Sequence, residues 1–537
     1  MKPGIRYSIG LAMCAVVGAA SGAAKPPGHA QARGERAWAD VRVLADDAME
    51  GRRAGSDGHR RAARYVAEEF AKAGLQPWGE SGYLQTVELE MRLINEPASS
   101  LSLVFDGEKR PLRFGDDAGF QLRGNFAREV DAPLVFVGHG LRLPQYGIDD
   151  LAGLDLEGKV VVAFNSAPKS LPGAVGAHFG SPAERWKVYH AAGAVGFVFI
   201  PNPFSMDLPW ERAVRQRLEP YMVLRGVDDP FVGQKIWAMF NPERFATLLE
   251  GTAYKAEDIL ALLKDGQALP HFDLAARISA VIEAQVTTLA SENVIGVLPG
   301  SDSRLRQEYV VLSAHLDHLG VRGSGEGDRI FNGAMDNAAG VSVLLQIARE
   351  LQKGRKPRRS LVFAAVTAEE MGLLGSRAFV AAAQNQGRRI VANLNSDMFL
   401  PLYPLKQWLI FGLEESELAN DVRAVAKELG VEVQTDPQPQ RNRFIRSDQY
   451  SFIRAGIPSL ASKVGVAPDT PEAVIERQWQ TERYHAVTDS PDQPVDMQAI
   501  GMYVELCKRL AVRVANRARA PRWFPTSVFA TLATPAP

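Results

Sequence analysis

From residue 309 onward the chain alternates apolar strands with amphipathic helices, and this is the feature that most constrains its fold. Strand-like runs fall at 309–314 (YVVLSA), 360–368 (SLVFAAVTA), 389–398 (RIVANLNSDM), 407–412 (QWLIFG) and 457–462 (IPSLAS). Helical periodicity occupies 337–353, 372–385, 415–429, 447–455 and 496–516. This order predicts an α/β fold whose mostly parallel central sheet carries helices on both faces. Ligands in such a sheet collect where strands end and helices begin. The stretch Val310–Asp336, VVLSAHLDHLGVRGSGEGDRIFNGAMD, has that form. Its strand delivers His315 and Asp317, a Gly-rich polar loop follows, and Asp336 opens the helix NAAGVSVLLQIARELQ.

A chain of 537 residues exceeds one ordinary core, so two or three compact units are expected. The 61 Lys+Arg and 62 Asp+Glu leave a net charge of -1, so no overall field favours nucleic acid or an anionic membrane. Lys2 and Arg6 precede a short apolar run, Ile9–Ala20, and then small residues up to Ala24. That pattern reads as a signal peptide over 1–24, cut near Ala24, and predicts an exported protein, periplasmic or extracellular. The run is shorter than the ~20 residues of a spanning helix, so no stable membrane insertion is expected after cleavage. Removing Cys14 with the signal leaves Cys507 alone, which excludes an intramolecular disulfide and a cysteine-ligated metal. Cys507 lies in the helix MYVELCKRLAVRVA and reads as a small buried hydrophobe.

Residues 25–36 are Pro/Gly/Ala-rich and read as a flexible lead-in, and 38–74 are helical with a break at GRRAGSDG. His59, at the exit of that break, is expected to face solvent. With the strand-like runs of 83–128, the segment 25–129 is expected to pack on the catalytic unit of 289–520. Residues 130–288 read as a smaller, β-rich inserted unit (APLVFVGHG, KVVVAFN, VGFVFIPNP). Its His139, His178 and His190 are scattered and read as turn or core residues. The Pro-rich residues 521–537 read as a poorly ordered tail.

Acids and histidines gather at the ends of the C-terminal strands. They are His315 in AHLDHLG, Asp336 in GAMDNAAG, Glu369 and Glu370 in TAEEMGLLGS, Asp397 in NLNSDM, and His485 in YHAVTDS. Singly, Asp336 or the Glu pair is explained by a carboxylate meeting a helix dipole. Jointly, on successive elements, they point to a metal site. Two histidines and three carboxylates without sulfur suit zinc. A pair of ions ~3.5–4 Å apart needs a shared ligand, which a bridging carboxylate supplies. The spare carboxylate of the Glu pair can take a proton from water and return it to a leaving amine. Asp317 lies two residues past His315, on the same side of an extended segment, and is expected to orient it. His318 points the other way and reads as a pocket wall or structural residue. Arg441, Arg443 and Arg446 form a basic run whose default is a solvated loop, with a substrate carboxylate or phosphate as the alternative.

These motifs resemble the zinc metallopeptidase family that includes bacterial leucyl-type aminopeptidases and glutamate carboxypeptidase. The family pattern is HxD, a DN-containing helix start, an EE pair, a later D and a late H, all present in order across about 290–515. The resemblance implies two zinc ions per chain, one on His315 and Asp397, the other on Glu370 and His485. It makes Asp336 the bridge and Glu369 the general base. SDQYSFIRAGIPSL (447–460) is similar to the family's SDH..F...GIP segment with Gln449 in place of His, though Ser447 and Asp448 read equally as a helix cap. The helices before residue 77 resemble the family's N-terminal pair, and the 130–285 unit resembles the inserted protease-associated domain of some members. The implied function is an exported dizinc exopeptidase acting on peptides, most simply an aminopeptidase. A glutamate-type carboxypeptidase would need a basic pocket, for which Arg441–Arg446 are the candidates. A glutaminyl cyclase-like enzyme and a non-catalytic binding protein share the fold and remain alternatives.

Overall fold

The computed structural model describes residues 27–533 except 80, 207–208, 228 and 324–325. The expected signal peptide, with Cys14, lies outside the described residues. No helix among those described is long and apolar enough to cross a membrane.

Seven strands form the centre of a mixed ten-stranded sheet: β1 (Leu84–Ile94), β2 (Ala284–Leu298), β3 (Glu308–His315), β4 (Ser360–Val366), β5 (Arg389–Ser396), β6 (Gln407–Phe411) and β7 (Ser459–Gly465). Their order is β1-β2-β4-β3-β5-β7-β6, with Tyr221–Leu224 outside β1 and Glu432–Gln434 outside β6. The pairs β3/β4, β3/β5 and β5/β7 are parallel, whereas β1/β2, β2/β4 and β6/β7 are antiparallel. The expected parallel centre is thus flanked by antiparallel strands on both sides. β4 is buried at every position, as its unbroken apolar run requires of a strand covered on both faces. Alternate residues of β3 feed opposite cores. Val310, Leu312 and Ala314 face a large cluster with Trp38, Leu344 and Tyr503, while Val311 faces Phe379 and Phe452.

The helices on those faces include α1 (Pro27–Leu44), α2 (Asp57–Lys72), α3 (Ala339–Leu351), α4 (Leu374–Asn385), α5 (Gln449–Arg454) and α6 (Met497–Asn516). Most of the expected flexible lead-in is therefore helix. α1 lies so close on α6 that a Cβ on Gly34 would stand 1.9 Å from the Met497 carbonyl oxygen, and one on Gly501 1.9 Å from that of Ala30. Between them Arg33 pairs with Glu350 at 2.6 Å and Glu505 at 2.8 Å. His59 is buried, not solvent-facing. Ser56 caps α2, and the first turn then lays the imidazole on β2 with Nε2 3.0 Å from the Glu292 carbonyl. Cys507 is half-buried and its thiol is pushed up to about 12 by burial.

A second, eight-stranded sheet is built from residues 100–281, and strands at Ser100–Phe105 and Ala118–Phe120, upstream of residue 130, belong to it. Aromatic side chains fill its two faces, Phe136, Phe164 and Phe245 on one and Trp186, Phe197 and Trp237 on the other. His139 and His178 are buried there, and His178 Nδ1 meets the Tyr450 hydroxyl of α5 at 2.9 Å. His190 stacks on Trp186. The tail is ordered through its described residues. Trp523 and Phe529 bury their rings beside Tyr450 and Ile453, and the Trp523 indole donates to the Gly456 carbonyl. Enough aromatic surface offsets the prolines there.

Candidate metal centre

The strand order places the site. The chain passes from β3 to β4 on one side and then to β5 on the other, so the crevice at the carboxyl ends of these strands is a topological switch point. His315 ends β3, the Glu pair follows β4, and Asp397 follows β5. A loop returns Asp336 to the same crevice, and His485 arrives from the turn after the helix Pro471–Glu482, which the sequence reading did not anticipate.

All five expected ligand residues come together. His315 Nε2 lies 3.2 Å from Asp336 Oδ1 and 3.4 Å from Asp397 Oδ1. On the other side His485 Nε2 lies 3.2 Å from Asp336 Oδ2 and 3.3 Å from Glu370 Oε2. Each oxygen of Asp336 thus faces a different histidine. His318 joins this second group, with Nδ1 2.7 Å from Glu370 Oε1 and 3.9 Å from Asp336 Oδ2. Donor atoms of His315, Asp336 and Asp397, and of His318, Asp336 and Glu370, lie within 4.8 Å of one another. Of the two histidines near Glu370, His485 is the better placed for a shared ion, because it reaches Asp336 0.7 Å more closely (3.9 less 3.2). His318 instead holds the outer oxygen of Glu370 and leaves Oε2 for the crevice.

The donors fit zinc. They are imidazole nitrogens and carboxylate oxygens only. Asp397 Oδ1 is buried without a hydrogen bond, an arrangement that costs free energy unless a cation meets it. The His315 Nδ1–H donates to the Asp317 carbonyl at 3.0 Å, which turns the Nε2 lone pair toward Asp336 and Asp397. Asp317 therefore orients His315 through its backbone. Its carboxylate lies 4.0 Å from Nδ1 and accepts the Glu369 N–H at 3.0 Å and the Glu370 N–H at 3.4 Å. This residue holds the Glu pair to the end of β3, a role its spacing from His315 did not disclose.

Electrostatics follow from crowding carboxylates and imidazoles in a buried crevice. Burial disfavours the His315 imidazolium, but Glu369, Asp397 and Asp336 outweigh it and raise its pKa well above the ordinary value. His485 goes up to about 9 in the same way, against burial, through Glu370 and Asp336. Burial, reinforced by Asp397, Asp448 and Glu370, pushes Glu369 well up against the pull of His315. Burial also carries Asp317 to about 7 and Asp448 to about 6.

Several contributors carry no motif signal. Arg52 is fully buried and donates to the carbonyls of Leu316, Leu44, Asn332 and Gly333, tying the end of β3 to the Asp336 loop. Burial lowers its guanidinium to about 10 even though Asp489, Asp317, Asp336 and Glu370 surround it. Asp489 accepts the N–H groups of Met335 and Asp336 and so fixes the loop from below. Tyr484 stacks on His485 with ring centroids 4.0 Å apart. Ala368, Met398 and His485 have φ of 52°, 43° and 54°. Such backbone costs roughly 1–2 kcal/mol per residue, and here it sits beside or at three of the acid- and imidazole-bearing positions. The Asp336–Asn337 peptide is cis.

The α5 segment departs from the cap reading. Asp448 makes no capping bond and both its oxygens are buried without partners, while Gln449 accepts from Asn395 and donates to the Phe444 carbonyl. In the basic run, Arg443 pairs with Asp436 at 2.7 Å and lies over the Phe411 ring.

Residues 293–511 match the model of Peptidase family M28. A mouse (Mus musculus) protein named Aminopeptidase NAALADL1 is 32% identical over 133 residues, 24% of this chain and 16% of that protein. Probable glutamate carboxypeptidase LAMP1 of Arabidopsis thaliana is 38% identical over 111 residues, 20% of this chain and 14% of that protein. These matches span about a sixth of the relatives' own length. A solved aminopeptidase from Aneurinibacillus sp. strain AM-1 superposes with a TM-score of 0.52 at 20% identity, covering 93% of this chain and 97% of that one, and shares the fold.

Proposed function

We propose that this chain, whose residues 293–511 match the model of Peptidase family M28, is a dizinc exopeptidase, most simply an aminopeptidase. The observation that carries the reading is Asp336, whose two oxygens each stand 3.2 Å from a histidine on opposite sides. We assign His315 and Asp397 to one zinc, Glu370 and His485 to the other, and Asp336 to both. Bound zinc would polarise the scissile carbonyl and acidify the attacking water.

The chain's own residues do the rest. Glu369 takes the proton of the attacking water and returns it to the leaving nitrogen as the C–N bond breaks, so the water's oxygen ends on the carbonyl carbon. The carboxylates around Glu369 favour its holding that proton between the two transfers. Asp317 keeps Glu369 in register through its N–H, and His318 keeps Glu370 from rotating. The signal-like residues 1–24 support export, and the second sheet, over residues 100–281, is read as inserted between β1 and β2 of the catalytic sheet.

Glu369→Gln should keep both zinc ions by metal analysis and lose roughly 10²–10⁴-fold in kcat on aminoacyl peptides. Near-normal turnover in that variant would remove Glu369 as the base. Hydrolysis of acyl-glutamate but not aminoacyl substrates by the zinc-loaded chain would move the reading to a carboxypeptidase.

A further inference from the structure

Two histidines flank the same pair of carboxylates at the second metal position. His485 Nε2 and His318 Nδ1 stand 3.2 Å and 3.9 Å from Asp336 Oδ2. They reach different oxygens of Glu370, His485 meeting Oε2 at 3.3 Å and His318 meeting Oε1 at 2.7 Å. The two ring centroids are 5.7 Å apart. Donor atoms of His318, Asp336 and Glu370 lie within 4.8 Å of one another without any help from His485. One imidazole and two carboxylates, with water in the fourth place, make a complete ligand set for a catalytic zinc. Two such sets therefore overlap here, sharing Asp336 and Glu370 and differing in the histidine.

The two rings are mounted differently. The His485 side chain is 37% exposed, against 13% for Asp397 and less for the remaining ligands. It sits in a turn at a φ of 54°, and Tyr484, on which it stacks, is itself exposed. His318 is fully buried at the end of β3, where its N–H donates to the Arg52 carbonyl at 3.3 Å. Its ring lies against Gly333, where a Cβ would stand 2.5 Å from Cγ, so the ring has no room to withdraw. His318 Nε2 is buried without a partner, and no second hydrogen bond fixes which nitrogen carries the proton. With the proton on Nε2, Nδ1 presents a lone pair to the two carboxylates. The rigid histidine is thus the one at the back of the site, and the exposed one is at its mouth.

We propose that His318, Asp336 and Glu370 form an inner position for the second zinc, which keeps the ion in the chain when His485 is turned away. This rests on the dizinc reading above and deepens it. Glu370 offers Oε2 to the outer position and Oε1 to the inner one, while Asp336 Oδ2 serves both. Taking up the inner position exchanges the His318–Glu370 hydrogen bond for two bonds to a shared cation, with the ring proton then on Nε2. The turn that carries His485 can in this way open to solvent without release of the metal.

The test counts metal in the full chain after dialysis against buffered zinc. The unsubstituted chain and His485→Ala should both retain about two ions, and His485→Ala with His318→Gln about one, because the two histidines replace each other. Glutamine keeps a donor for Glu370 Oε1 but offers no imidazole, so a role limited to that hydrogen bond would leave the double variant unchanged. A second measurement leaves His318 in place. In His485→Ala loaded with cadmium-113 and carrying nitrogen-15 histidine, the His318 Nδ1 resonance should be split by direct coupling to the metal, which a hydrogen bond to Glu370 does not produce. One ion in His485→Ala beside two in the unsubstituted chain, two ions in the double variant, or an unsplit Nδ1 resonance each overturns the inner position and leaves the dizinc reading standing. One ion in the unsubstituted chain at saturating zinc overturns the dizinc reading instead.

Discussion

Arg52 is a case where one side chain determines whether several others can function. Its guanidinium satisfies four carbonyls from three distant stretches of chain, and no water reaches them. Arg52→Met would leave those acceptors unpaired at about 1–3 kcal/mol each, so a loss of at least ~3 kcal/mol is expected in urea unfolding, together with weaker zinc retention against a chelator. Full stability in that variant would mean the carbonyls find other donors. The pH behaviour of the metal site follows from its histidines. His315 and His485 are raised in the metal-free chain, yet zinc needs them neutral, so binding must expel protons. Apparent zinc affinity should therefore climb as pH rises from about 6.5 toward 9, with proton release visible in calorimetry across buffers. A flat profile would contradict the ligand assignment. The proposed ligands were legible in the sequence because each sits in a short motif, His315, Glu370 and Asp397 at strand ends, Asp336 at a helix start and His485 in the turn after a helix. Arg52 and Asp489 were not, because their work is done on backbone groups, and such partners leave no spacing in a sequence.

Among the elements, α1 and α6 show how closely two helices can approach when each offers a glycine. Gly34→Ala and Gly501→Ala both drive a methyl into a carbonyl oxygen that cannot rotate away. Each should cost about 1–3 kcal/mol by forcing the helices apart, read as a fall in Tm, with the double substitution less than additive because one shift relieves both. Strands of the parallel centre were readable because burial on two faces leaves unbroken apolar runs. The antiparallel strand β1 alternates like a half-covered strand and β2 is mostly exposed in its first half and buried in its second, so nothing local told which sheet they would join, and Tyr221–Leu224 is too short to register at all. α1 was misread because Pro, Gly and Ala suggest flexibility, whereas here the small residues allow close approach to α6. His59 was misread because only the docking of α2 on β2 buries it.

For the molecule as a whole, acid is the expected weakness. His59, His139 and His178 are buried, and burial is the chief cause that brings each to about 4. The unfolded chain binds their protons near pH 6.5, so stability is complete above that and is lost as pH falls toward 4. Each depressed imidazole contributes up to about 3 kcal/mol of that loss. A Tm measured from pH 7 to 4 should drop steeply, and His139→Gln or His178→Gln should flatten the curve even if it lowers the plateau. A Tm independent of pH over that window would place these rings in solvent. The interior contact between Arg33 and the Gly501 carbonyl, 468 residues apart, has a further consequence for the order in which the protein can be completed. The second sheet closes within residues 100–281 and can mature while synthesis continues. The core of the ten-stranded sheet must wait for its last long helix to meet its first, so a nascent chain stalled before residue 497 should carry a finished second sheet beside an open, protease-sensitive core.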